Sequence, residues 1–295
     1  MILHTFIGRL GLALLLIGGL LPVLAAAEPP EQRPLRLGVL SLAPPAQTHT
    51  DWQPFADYLG DRLGRRISIV VPRGFEAMRD AIKAGELDFF YINGHIHYRL
   101  KQSGHSVAVL QMINLEGRNV SQSHIFVRAD SGIRTVADLE NRRIAYVSPM
   151  GAGSYLAPRS YLYEQGIESG VETQEFFTRN HPNSVYGVLL GDYDAAALCR
   201  LRYQLLSEKI DMGDLAVVGV SFEYAEHVIA VRPDLDPGIV SALREAGMGM
   251  INDAQGRAIL AAMRPLKIQS FAAYDPAVEE LTRHQLEIMQ GGEAE

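Results

Sequence analysis

From Leu35 onward the hydrophobic period of the chain switches repeatedly between about 2 and about 3.6, with only a few residues between one segment and the next. Residues 35–42 alternate like a strand. Residues 51–63 place Trp52, Phe55, Tyr58, Leu59 and Leu63 at helical spacing behind Asp51, a capping residue type. A second strand is expected at 67–71, a helix at 75–84 stopped by Gly85, and a third strand at 87–92. That third segment is apolar almost throughout, as a strand covered on both faces must be. Further strands are expected at 107–113, 124–128, 143–147, 172–177, 195–198, 215–221 and 228–231. Helices are expected at 155–165, 184–190, 201–208, 237–250, 253–263 and 276–289. This alternation implies an α/β protein with mostly parallel sheets.

At 295 residues the chain has room for two such units, each with its own core. After residue 232 the pattern is helical only, which suggests a return of the chain to the first unit. The expected organisation is a discontinuous lobe 1 (34–128 plus 233–289), an inserted lobe 2 (129–232), and a cleft between them. With 47% hydrophobic residues, 21% charged residues and a net charge of −7, disorder and multiple membrane spans are excluded. Clustered basic residues of the kind that track a phosphate backbone are missing, so a nucleic-acid partner is not expected. A bound anion would need a local site.

Residues 1–27 read as a cleavable signal peptide: Arg9, an apolar run from Leu10 to Leu21, then Ala25, Ala26 and Ala27. The run is shorter than the ~20 residues that span a bilayer. Secretion to the periplasm follows as an expectation. Cys199, the single cysteine, then sits unpaired in an oxidising compartment, either as a small buried hydrophobe or as a reactive or ligating thiol.

Several stretches carry a family resemblance: Leu37-Gly38-Val39, the run from Trp52 to Leu59, the turn from Ala84 to Asp88, the segments 127–133 and 138–145, Tyr155-Leu156-Ala157-Pro158-Arg159, and Gly191-Asp192-Tyr193-Asp194. In order and spacing, residues 35 to about 289 resemble the periplasmic phosphonate-binding proteins of ABC transporters. The resemblance implies a type II periplasmic-binding-protein fold, two α/β lobes that close on a small anion of the phosphonate, phosphite or phosphate type. Delivery to an ABC permease, a monomeric state and no cofactor are also implied.

The same resemblance points to Tyr91, His97, Gly153, Ser154, Tyr155 and His181 as ligand contacts. Where relatives carry a Ser-Thr-Ser turn at a helix start, this chain has Gly151, Ala152 and Gly153, so backbone N–H groups and the displaced Ser154 would have to hold the anion. His181 can donate to an anion or offer a lone pair to a metal. Amine-binding relatives place a carboxylate where this chain has Cys199 and Arg200, which argues against an aminoalkyl ligand. His95, Cys199, Arg200 and His227 are additional candidates at the ends of expected strands or the starts of helices. His and Cys together keep open a metal or metalloid site, and the alternative function is a ligand-sensing accessory to a two-component membrane histidine kinase, with a metalloid, metal or other oxyanion as signal. No GxSxG elbow, P-loop, dinucleotide fingerprint or HExxH motif occurs, so the chain is not read as an enzyme.

Overall fold

The computed structural model describes residues 33–291; the expected signal peptide lies outside the described residues. The first sheet opens with β1 (Leu35–Val39), α1 (Pro45–Leu63), β2 (Ile67–Val70), α2 (Gly74–Lys83) and β3 (Phe89–Ile92), followed by α3 (Gly94–Gln102) and β4 (Val107–Asn114). Strand β5 (Val120–Ser121) leads to β6 (Ser123–Arg128), β7 (Arg143–Tyr146), α4 (Ala157–Glu164), β8 (Gln174–Phe177) and α5 (His181–Leu190). The chain continues through β9 (Ala195–Cys199), α6 (Arg200–Ser207), β10 (Leu215–Val220), β11 (Tyr224–Ala225) and β12 (Val228–Val231). It ends with α7 (Pro237–Gly249), α8 (Ala254–Ala262), β13 (Ile268–Ala273) and α9 (Glu279–Gly291).

Two sheets result, ordered β13-β4-β12-β3-β1-β2 and β10-β6-β9-β7-β8. Each has a buried cluster on both faces. In the first, Leu37, Trp52, Phe55 and Leu243 lie on one side and Met78, Phe90 and Ile96 on the other. In the second, Ile125, Tyr146 and Leu162 oppose Phe126, Val185 and Leu198. Both sheets are mixed rather than mostly parallel. Strands β1, β2 and β3 pair in parallel, whereas β12 lies antiparallel between β3 and β4, and β6 lies antiparallel between β9 and β10. These antiparallel members lie next to the passages between sheets, where no helical crossover intervenes.

Sheet membership shifts the lobe boundaries expected from sequence. Strand β6 belongs to the second sheet and β12 to the first, so the chain changes lobe near 122 and 222 instead of 128 and 232. The reason is local: β5 and β11 pair with each other in a separate two-stranded ladder, with Tyr224 opposite Ser121 and Ala225 opposite Val120. Backbone and side-chain bonds between Ser123 and Ser221, and from Gln122 to Ser221, tie the two passages side by side.

Three elements also differ from expectation. Helix α1 begins at Pro45, before Asp51, because Pro at the first helical position presets φ and loses no needed hydrogen bond. Helix α3 was not expected; Asn93 caps it, its side chain accepting from the Ile96 amide at 2.9 Å. The region after residue 232 is not wholly helical, since β13 forms an edge of the first sheet. Helices α7 and α8 pack on that sheet, while α9 lies against α3 of the first lobe and α4 of the second.

Candidate ligand-binding cleft

The cleft of about 880 Å³ is bordered by the ends of both lobes. Three chain turns that start helices face it: Ser41 to Pro44 before α1, Gly151 to Ser154, and Asn180 to Asn183 at α5. Residues 152–156 form a π-helical turn that runs into α4. The amides of Ala152, Gly153 and Ser154 lie in its first turn, where no intrahelical acceptor is in reach, and a helix start of this kind favours an anion.

Gly151 and Gly153 are dictated by packing. A Cβ on Gly153 would overlap the Tyr224 ring and hydroxyl, and one on Gly151 would strike Ser154 Oγ. The Gly153 carbonyl accepts from Ser123 Oγ. Tyr224 thus takes the volume that side chains on this turn would otherwise fill.

On the first-lobe wall, Tyr91 presents its ring and not its hydroxyl. The ring stacks on His227 at 4.8 Å and leans on Trp52 at 4.6 Å, while the hydroxyl donates to Met112 Sδ. Burial, then the charge of Glu226, hold that phenol well above its ordinary range. Lys267 enters from the turn before β13. Its side chain is 7% exposed, and Nζ lies 3.4 Å from Cys199 Sγ and 3.4 Å from Glu226 Oε2. A φ of 70° puts Lys267 in the left-handed region, which is uncommon for a residue with a side chain.

Glu226, directly after β11, is fully buried and bonded to Asn114, Lys267 and His227. Burial alone would raise its pKa; Lys267 foremost, with the His227 and Asn114 hydrogen bonds, outweighs it and brings the value to about 2. Lys267 shifts upward: its own burial opposes this, but the charges of Cys199 and Glu226 prevail. From the second lobe comes Arg202, whose Nη1 reaches the Pro265 carbonyl at 3.3 Å and whose Nε is buried without a partner. His181 sits at the first position of α5. Desolvation first, then the charges of Arg202, Lys267 and His227, push the imidazole well below its ordinary value, so it is neutral at pH 7. Lys267 and Arg202 are the cations that surround His181, and Lys209 also lines the cleft.

Of the residues singled out from sequence, Tyr91, Gly153, Ser154, His181, Cys199 and His227 line this cleft. Four do not. His97 was expected as a ligand contact, but α3 turns it into the protein interior, where Nδ1 meets Ser106 Oγ at 2.8 Å and the ring packs edge-on against Tyr274. The same helix carries His95 away from the cleft, with Nε2 accepting from Arg99 Nε at 2.8 Å. Tyr155 points back into the second lobe, against Tyr146 and Phe177. Arg200 leaves the cleft to pair with Glu116 across the lobes. With His95 and His97 removed, the histidine-rich metal constellation dissolves. Among the described residues no group of three or more His, Cys, Asp or Glu is placed to hold a metal ion.

Lys267, Glu226, Arg202 and Tyr224 were not singled out from sequence. Lys267 follows Arg264-Pro265-Leu266, a stretch read as loop between helices, and carries no local pattern. Glu226 and His227 do stand out in one respect, as polar residues directly before an apolar strand.

Two mixed α/β lobes joined by paired passages, with helix starts and cations facing one cleft, define a type II solute-binding protein. The family described as ABC transporter, phosphonate, periplasmic substrate-binding protein matches residues 37–278, and the chain belongs to it. It is a solute-binding protein of the phosphonate and phosphate type and not an enzyme.

Among curated relatives, the tetrathionate sensor histidine kinase TtrS of Salmonella typhimurium is 27% identical over 139 residues, 44% of this chain and 23% of the kinase. The match therefore spans under a quarter of the kinase's length. The phosphate-import protein PhnD of Mycolicibacterium smegmatis is 23% identical over 217 residues, covering 68% of each chain. PhnD1 from Prochlorococcus marinus, solved in complex with methylphosphonate, superposes with a TM-score of 0.75 at 16% identity, over 87% of this chain and 98% of that one. A Xanthomonas citri protein bound to chloride ion gives 0.76 at 20% identity, over 87% and 99%. At such identities the structural matches establish the fold.

Proposed function

We propose that this chain is a periplasmic receptor whose lobes close on a small oxyanion lacking an amine and present the closed form to an ABC permease. The observation that carries the reading is the Lys267 ammonium, 93% withdrawn from solvent at the cleft wall, with the Arg202 guanidinium facing it from the other lobe. Anion contacts from both lobes exist only in the closed form, so binding shifts the hinge equilibrium toward closure. The amides of Gly153 and Ser154 and a neutral His181 add donors around the charge. Tyr91, His227 and Trp52 supply an apolar wall. Glu226, buried beside the cleft, is already engaged by Lys267, and Asp51, the carboxylate that lines the cleft, accepts from Gln47 Nε2 at 2.6 Å.

Calorimetry with methylphosphonate, phosphate, phosphite, thiosulfate and 2-aminoethylphosphonate tests the reading. Binding of at least one amine-free anion, tighter than 2-aminoethylphosphonate and weakened by Arg202→Gln, is expected. Tightest binding of the aminophosphonate would overturn it.

A second reading has the closed form recognised by a membrane sensor kinase, with a sulfur oxyanion as the signal. It is favoured by the thiol of Cys199 at the cleft wall and by the relatedness of part of the chain to the tetrathionate sensor kinase. Genes for a permease and ATPase beside this one support the first reading; a histidine kinase gene supports the second.

A further inference from the structure

We propose that Cys199 and Lys267 form a thiol site that captures the divalent sulfur of a polythionate or organic thiosulfate anion as a mixed disulfide. The inference rests on the reading of the cleft as an oxyanion site.

Cys199 packs with Ala152, Ala157 and Leu201, and its Sγ additionally has two polar neighbours, the Lys267 ammonium at 3.4 Å and Ser121 Oγ at 3.7 Å. The sulfur belongs to the second lobe and the ammonium to the first, so lobe closure assembles the pair. The sulfur lies at the N-terminus of α6, where the helix dipole favours negative charge. Independently, Arg202, a half-buried side chain of the same cleft that donates through Nη1 to the Pro265 carbonyl, keeps its Nε buried and without a partner, a donor in place for a ligand oxygen. The cleft volume of about 880 Å³ also exceeds what one tetrahedral oxyanion fills and matches sites for longer ligands. Its Trp52, Tyr91 and Phe75 walls suit a polarizable sulfur chain.

The chemistry is disulfide exchange. Sγ, as thiolate, attacks an inner divalent sulfur of tetrathionate, its proton having gone to cleft water. A bond forms between Sγ and that sulfur, the adjoining sulfur–sulfur bond breaks, and its electron pair departs with thiosulfate. Cys199 is left carrying an –S–SO3 group. With an organic thiosulfate the leaving group is sulfite and Cys199 keeps the S-alkyl group. The thiol is oxidised as the ligand's sulfur–sulfur bond is reduced, so no other oxidant enters. After reaction with tetrathionate the sulfonate remains tethered beside Lys267 and Arg202, and the closed form persists until a thiol reductant removes it. A reversible receptor thereby becomes one that holds its signal.

Intact-mass spectrometry on the purified protein treated with tetrathionate tests this, and the single cysteine makes the assignment unambiguous. One –S–SO3 group per chain, one equivalent of released thiosulfate and reversal by dithiothreitol are expected. The rate should exceed that of glutathione by about tenfold or more, the scale of one nearby charge. Uncharged iodoacetamide should react more slowly with the protein than with glutathione, since Cys199 is 7% exposed. The paired variant Lys267→Met with Glu226→Gln, which leaves no buried carboxylate unmatched, should lose about tenfold in tetrathionate rate; Arg202→Gln, a milder change, should also slow it. No adduct, a rate no faster than glutathione, or an unchanged rate in both variants would overturn the proposal. Calorimetry on Cys199→Ser separates the two levels. Retained oxyanion binding with no adduct on the wild type removes this inference alone, whereas loss of all oxyanion binding by wild type and variant removes the reading beneath it.

Discussion

Replacing Lys267 by Met should destabilise the protein by an amount that depends on pH in a defined way. The substitution keeps the length and apolar stem of the side chain but strips Glu226 of its cation. A buried carboxylate without a partner costs about 3–5 kcal/mol if it stays ionised. Protonation offers an escape: neutralising an acid with an ordinary pKa of 4.5 at pH 7 costs about 3 kcal/mol, at roughly 1.4 kcal/mol per unit. That sets the ceiling at pH 7. At pH 5 the same escape costs about 1 kcal/mol or less. His227, 3.4 Å from the Glu226 carboxylate, lowers the penalty further when it takes up a proton in acid.

In the wild type the Glu226–Lys267 pair itself adds no pH dependence over this range, and the slope set by the buried histidines is common to wild type and variant and cancels in the difference. With a folded pKa of about 2, Glu226 contributes stability that is complete above its unfolded value of 4.5 and is lost only as pH falls from there toward 2. Lys267, shifted upward, contributes stability that is complete below 10.5 and lost only in strong base. Urea unfolding followed by fluorescence of Trp52, the single tryptophan and 2% exposed, reads the difference. The expected loss is about 3 kcal/mol at pH 7 and about 1 kcal/mol at pH 5, with most of it recovered by adding Glu226→Gln. Equal losses at both pH values, or no recovery in the double variant, would show that Glu226 is not the charge Lys267 holds.

Gly153→Ala should destabilise by about 1–3 kcal/mol and abolish ligand-induced closure, because the new methyl overlaps the Tyr224 ring; thermal shift with and without ligand measures both. His97→Gln should leave anion affinity within about twofold of wild type, a change too small to matter beside the tenfold that 1.4 kcal/mol represents, whereas Arg202→Gln should weaken it about tenfold or more by calorimetry. Stability should fall as pH drops below 6.5: His95 and His97, depressed chiefly by burial to about 3 and about 4, remain neutral in the fold while the unfolded chain takes up protons. Urea midpoints between pH 7 and pH 5 follow this, and His97→Gln should flatten the slope.

The strands and helices that follow one period for many residues were legible because burial on both faces of a sheet demands it. β3 and β9 are apolar throughout and occupy interior positions of their sheets. What stayed hidden was set by single residues acting over a distance. Asn93 as a cap, and nothing in the polar run after it, turns Gly94 to Gln102 into α3 and so removes His95 and His97 from the cleft. Tyr224 explains Gly153 of the π-helical turn from the opposite side of the two-stranded ladder, across a separation that no local pattern records.

The cleft's charge illustrates the same point most sharply. Histidines and Arg200 were the visible cations near the expected site. The structure spends Arg200 on Glu116 and keeps His181 neutral through burial first, with the charges of Arg202 and Lys267 adding to it. A lysine can be held in the left-handed region, 93% buried, only if the groups around it compensate, and Glu226 beside the hinge ladder is the group that does so. In the proposed reading the anion site and the paired passages between the lobes therefore share one electrostatic element. An incoming anion that draws Lys267 toward itself weakens the hold on Glu226, which connects ligand charge to the residues about which the lobes move.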